Sequence, residues 1–227
     1  MMLPPVEADE TLVAHGVYQQ VRGGKPTPVR EFWTAHSLPD AATIWRSQLL
    51  YDGVLPLSAC YLLRNPEHRP VQMVFMWRWQ DGGDGMVEYR FMPGYMEILH
   101  GEQVNQMILP VAFDVYGWHT ITEHFLCLGY DRAQRGTQRF TLVCPNIQDG
   151  TLWPMLMSVD ATLSQTAIMP GQGGPHPGYL FDLDQPEIGP QQLRCDAFGV
   201  PLAWTLPGEQ LTVELTEYTR VDATDGQ

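Results

Sequence analysis

Apolar and polar side chains alternate with a period of two through most of this chain, and that alternation predicts strands. The clearest case is residues 71–80. Val71, Met73, Phe75, Trp77 and Trp79 fall on one face there, and Gln72, Val74, Met76, Arg78 and Gln80 on the other. Residues 57–64 alternate in the same way, and the turn-forming stretch 65–70, with Asn65, Pro66 and Pro70, joins the two into a hairpin. A glycine-rich turn at 82–85 leads into a strand at 86–92, and Pro93 with Gly94 turns the chain into 95–100. Further strands are expected at 16–22, 29–36, 43–51, 137–144, 151–159, 162–169, 191–195, 201–206 and 210–221. About a dozen short strands with few helical windows indicate a mainly β protein, a large antiparallel sheet curved into a barrel or half-barrel.

One segment breaks the alternation. Between residues 111 and 128 the apolar positions Val111, Val115, Trp118, Ile121, Phe125 and Leu128 recur every three or four residues, which predicts one helix packed on the concave side of the sheet. Pro110 suits its first turn and Gly129 its C-cap. Gly117 and several β-branched residues oppose a helix, and a strand over 118–130 is the competing reading. No linker divides the chain, so residues 1–227 read as a single domain, with 1–10 and 222–227 as loosely ordered tails. The stretch 170–178, rich in glycine and proline, reads as a loop and a candidate lid.

Composition narrows the function. A formal net charge of −13, with one lysine (Lys25) among 13 basic residues, argues against nucleic acid and offers no polybasic membrane patch. No apolar run is long enough to insert in a membrane as a helix. Residues 1–10 lack the basic and apolar regions of a secretory signal. The four cysteines (Cys60, Cys127, Cys144 and Cys195) are widely spaced, without a C-x-x-C pair, and read as reduced, buried thiols in a cytoplasmic protein.

Candidate chemistry is sparse. His119 and His124 flank Glu123, but a separation of five points them apart on either a helix or a strand, so no metal site is expected and both read as surface or boundary residues. There is no nucleophile elbow, no activated cysteine and no phosphate loop, so no catalytic residue and no cofactor is assigned. Glu31, Arg46, Glu88 and Arg90 lie within alternating strands, and the simpler reading places their faces in solvent. The stronger signal is tryptophan and methionine on apolar strand faces. Trp33, Met73, Phe75, Trp77, Met155 and Met157 are the candidate lining of a cavity for an apolar or aromatic molecule or a lipid-like chain, with plain core filling as the alternative.

The segment from Asp196 to Trp204 carries the pattern D-x-x-G-x-P-L and runs into a final strand, and the preceding meander gives way to a helix-like stretch after Leu109 and Pro110. In these features the chain resembles the LolA and LolB lipoprotein-carrier superfamily. That resemblance implies a curved antiparallel sheet wrapped around a helix, and it transfers no functional residue. The violacein-pathway enzyme VioE, a cytosolic relative of that fold, implies that such a sheet can also host catalysis. The expected function is therefore a binding protein for a hydrophobic small molecule or lipid. The alternatives are an enzyme that uses shape and inward charges, and a solidly packed interaction scaffold.

Overall fold

In the computed structural model the chain forms one continuous sheet of 15 strands. The structure describes residues 3–79, 82–134, 136–148, 151–171, 174–186 and 188–221. The first wing comprises β1 (Thr11–Arg22), β2 (Lys25–Ser37), β3 (Thr43–Tyr51), β4 (Leu55–Arg64), β5 (Pro70–Arg78), β6 (Asp84–Met92), β7 (Tyr95–His100) and β8 (Gln103–Ile108). The second comprises β9 (Asp114–Val115), β10 (Thr137–Pro145), β11 (Pro154–Gly171), β12 (Gly174–Gln185), β13 (Gly189–Asp196), β14 (Pro201–Leu206) and β15 (Leu211–Arg220). Within each wing sequential strands are antiparallel neighbours, except that β9 runs parallel to β10, and the wings join where β1 pairs with β15, leaving β8 and β9 at the two edges.

The sheet does not close edge to edge; it rolls over itself. Leu142 and Cys144 of β10 pack with the inner faces of β11–β13, through Met157, Val159, Phe181 and Leu193. Their neighbour Val143 points the other way and joins Leu62, Phe75, Tyr89 and Ile98 on the inner face of β4–β7. Alternation along one strand thus serves two cores, which requires β10 to lie inside the wall made by β4–β7. A salt bridge braces the roll: Arg64 of β4 donates to both carboxylate oxygens of Asp114 in β9, at 2.6 and 3.2 Å. The outer face carries a small core of its own, Ile44, Tyr61 and Val74, which Leu3 helps to cover.

The expected packed helix does not form. Residues 114–130 thread through the interior as the two-residue strand β9, then a 3-10 turn (Thr120–Glu123) that continues into a short helical turn (His124–Gly129). The reason lies in the surroundings. Val115 packs against β4–β7, Ile121 against Tyr18 and Trp33, and Leu126 against β10–β13, so walls on all sides take up the apolar residues and no single stripe is needed. Val111, the first member of the apparent stripe, is fully exposed. Gly117 is required by proximity: a Cβ there would sit 2.6 Å from Cys60 Sγ.

Other expectations change as well. The stretch 170–178 is largely paired strand, since the β11–β12 ladder runs out to Gly171 opposite Gly174, and residues 172 and 173 lie outside the described residues. The N-terminal segment is not loose from residue 4 onward. Arg46 donates to both oxygens of Glu10, at 2.6 and 2.7 Å, and to the carbonyls of Pro4 and Pro5. Residues 222–227 lie outside the described residues. Cys195 is disulfide-bonded, whereas Cys60 and Cys144 are buried free thiols, which corrects the expectation of reduced cysteines throughout. Sequence spacing could not show that, because pairing depends on which Cβ atoms the fold brings within about 4 Å.

Candidate functional site

Glu31 lies on the inner face of β2 beside Trp33, and the residue is 2% exposed. Its carboxylate accepts hydrogen bonds from the Ser47 hydroxyl at 2.8 Å and from the backbone N–H groups of Thr120 and Ile121 at 2.7 and 3.1 Å. It therefore caps the interior 3-10 turn, giving partners to donors that have none within the turn. Burial pushes its pKa up, and these three donors pull it back. Ser47 also meets His119 Nδ1 at 2.7 Å, and Ser58 meets His119 Nε2 at 2.9 Å. Because the Ser47 hydroxyl donates to Glu31, its oxygen accepts from Nδ1–H, and Nε2 then accepts from Ser58. Burial holds His119 neutral, with its pKa lowered to about 3.

A serine on an imidazole with a carboxylate behind it has the outline of a nucleophilic relay. Here it is structural. Ser58 is 0% and His119 1% exposed, so no substrate reaches the hydroxyl. His124, also buried, meets the Ile121 carbonyl oxygen at 2.8 Å and stacks on Trp45 with ring centroids 4.6 Å apart. Both histidines are thus core residues rather than surface ones, carried inward by the threading segment. Glu31 and Arg46 are buried too, against the solvated reading. Glu88 and Arg90 follow it, paired with each other on the outer surface.

On the other side of the same turn the chain leaves a carboxyl open. Glu123 is 6% exposed and makes no hydrogen bond among the described residues. Burial, with a contribution from the nearby charge of Glu31, raises its pKa to about 8. It lines a pocket of about 380 Å³ between the threading segment and the inner face of β1–β3, β14 and β15. Tyr18, Tyr116, Trp118 and Trp204 give this pocket aromatic walls, with Leu211 and Val213 beside them. Val29, Leu49 and Ile188 line it as well.

The rings are fixed before anything binds. Trp204 Nε1 donates to Gln191 Oε1 at 2.7 Å, Trp118 Nε1 to the Pro145 carbonyl at 2.7 Å, and the Tyr18 hydroxyl to the Pro201 carbonyl at 2.9 Å. Trp118 is held at φ +56, a left-handed conformation that costs a bulky residue on the order of 1–3 kcal/mol and recurs at functional positions.

The open carboxyl has a measurable cost. Unfolded, Glu123 ionises near pH 4.5; folded, it does so near pH 8. Unfolding releases a proton between those values, so this group removes stability as pH rises through that window. Glu123→Gln should therefore be more stable than the parent at pH 8, by on the order of 2 kcal/mol, and nearly equal to it at pH 4.5. Urea midpoints at the two pH values test this, and a gap that does not change with pH would contradict it.

The six residues expected to line a cavity are divided among three cores. Trp33 packs with Tyr18 and Ile121, Met73 and Phe75 are fully buried under β4–β7 with Trp77 at the edge of that cluster, and Met155 and Met157 belong to the β10–β13 cluster. None of the six lines the mouth pocket; Trp33 also borders a groove of about 430 Å³ along β1–β3, which Leu3 and Arg46 help to line. Sequence reasoning missed Tyr18, Tyr116 and Glu123 as pocket residues. Their signal was weak: Tyr116 and Trp118 flank Gly117, a spacing that a helical stripe also accommodates. No group of three or more potential metal ligands occurs among the described residues. No helix among them is long and apolar enough to cross a membrane.

No family model and no curated protein matches the sequence. Among solved structures, a β-barrel-like protein of domain of unknown function DUF1849 from Brucella abortus superposes with a TM-score of 0.62 at 10% identity, over 93% of this chain and 98% of that one. A DUF1089 family protein from Pseudomonas aeruginosa reaches 0.48 at 11% identity, over 85% and 90%. The first likeness establishes a β-barrel-like fold, and at that identity it establishes the fold alone.

Proposed function

We propose that this chain is a binding protein that holds a small, largely apolar or aromatic molecule in the mouth pocket of its rolled sheet. The observation that carries the reading is the set of fixed rings around about 380 Å³ of space, with a buried carboxyl inside that makes no hydrogen bond among the described residues. Pockets of this size, mostly apolar with a few convergent polar groups, are the usual form of a small-molecule site. Kinship with the LolA and LolB carriers is part of the same proposal. A curved antiparallel sheet around an interior element supports it, as does the D-x-x-G-x-P-L turn. There Asp196 accepts from the N–H groups of Phe198 and Val200, and Gly199 takes φ +84.

The neutral fluorophore N-phenyl-1-naphthylamine tests the reading. Its emission should rise on addition of the protein, and Val29→Trp, which adds an indole beside the pocket on a half-buried position of β2, should weaken binding about tenfold or more. Equal binding by both proteins would place the probe elsewhere and overturn the assignment.

The disulfide at Cys195 supports a compartment where disulfides persist rather than the cytoplasm. Iodoacetamide added to the denatured, unreduced protein should leave the Cys195 peptide unmodified. Labelling without reductant would remove that argument.

A further inference from the structure

We propose that the mouth pocket selects an organic cation, an ammonium head on an apolar or aromatic body. The inference rests on the pocket being a ligand site, as argued above, and adds the charge of the ligand. Four aromatic side chains and three carboxylates (Glu31, Glu123 and Glu209) line the pocket, and among the described residues no lysine, arginine or histidine does. Aromatic faces attract a desolvated cation through the ring quadrupole, and carboxylates supply its counter-charge.

The carboxylates are not equivalent. Glu31 has its oxygens committed to Ser47, Thr120 and Ile121. Glu209 pairs with Arg22 at the exposed surface. Glu123 is left, nine-tenths buried and without a hydrogen bond among the described residues. A buried carboxyl without a partner is costly, and a neutral apolar ligand would leave it so. An anionic ligand would meet three acids and, among the described lining residues, no base. An ammonium group satisfies Glu123 with charge and donors together. The net charge of −13 draws cations toward the protein from a distance.

The other titratable groups lining the pocket are Tyr18, Glu31, Tyr116 and Glu209, and burial drives both tyrosines above their usual range. His119 and His124 lie on the same turn and stay neutral. Glu123 is the group that changes charge near neutral pH. A primary ammonium remains protonated to about pH 10. Its affinity should therefore increase between pH 6.5 and 9, as Glu123 gives up its proton.

The test compares three probes with one body, 4-phenylbutylammonium, 4-phenylbutanol and 4-phenylbutyrate, titrated into the full chain by calorimetry. At pH 9 the ammonium should bind at least about tenfold more tightly than the alcohol, and the preference should shrink at pH 6.5. Glu123→Gln should abolish the preference. If the alcohol or the carboxylate binds as tightly as the ammonium, or if Glu123→Gln keeps the preference, the cation inference falls while the ligand site stands. If none of the three binds the parent protein, the ligand-site reading falls and takes the inference with it.

Discussion

Glu31→Ala should destabilise the protein by about 3–5 kcal/mol, the largest loss expected from a single polar residue in this fold. The substitution removes the acceptor for three buried donors at once: the Ser47 hydroxyl and the N–H groups of Thr120 and Ile121. Each buried donor left unpaired costs about 1–3 kcal/mol, and the three are coupled, so the costs do not simply add. The effect spreads inward. Without Glu31 the Ser47 hydroxyl loses the partner that fixes its direction, and the His119 tautomer it selects is no longer enforced. A fall in melting temperature on the order of 10 °C follows for a chain of this size. Glu31→Gln should recover only part of the loss, because an amide presents its own N–H groups to a ring of donors. A change below about 1 kcal/mol in Glu31→Ala would show that the interior turn is held by packing alone.

Arg64→Ala should cost about 3 kcal/mol for a different reason. The guanidinium is 1% exposed and joins the inner face of β4 to Asp114 on β9, with a further bond to the His68 carbonyl at 2.7 Å. Removing it leaves Asp114 with its acceptor bond from the Val115 N–H but without its counter-charge, and unpins the inner end of the roll from its outer wall. Breaking a buried pair from one side typically costs about 3–5 kcal/mol, and the 22% exposure of the Asp114 side chain places this one at the lower end. Arg64→Met combined with Asp114→Asn, which removes both charges and keeps most of the volume, should restore part of the stability. A double variant as unstable as the sum of the singles would deny the coupling.

Most of the sheet was readable from alternation alone. The strands at 43–51, 95–100 and 201–206 have the bounds expected of them. The strand at 71–80 turned the face carrying Met73, Phe75 and Trp77 inward, as its pattern required. Misreadings arose where the period of two carries no information. The β8 strand is exposed at four of its six positions and shows little amphipathic signal. In the 114–130 segment Val115, Ile121 and Leu126 each pack against a different wall, so a helical spacing could be satisfied without a helix. The site was less legible still. Glu31 reads as an outward charge until the capping of Thr120 and Ile121 is visible, and that contact spans about 90 residues. Glu123 looked like a bystander between two histidines, and only the packing of that segment against β1 and β15 shows it facing a pocket.

Native mass spectrometry of the freshly purified, full-length protein, followed by solvent extraction of the same sample, tests the central claim most directly. The account predicts a bound species of a few hundred daltons, consistent with about 380 Å³ of space, that is released on denaturation and lost in Val29→Trp. A bound mass that persists unchanged in Val29→Trp, or a parent protein that stays apo after incubation with a total cell extract, would contradict it.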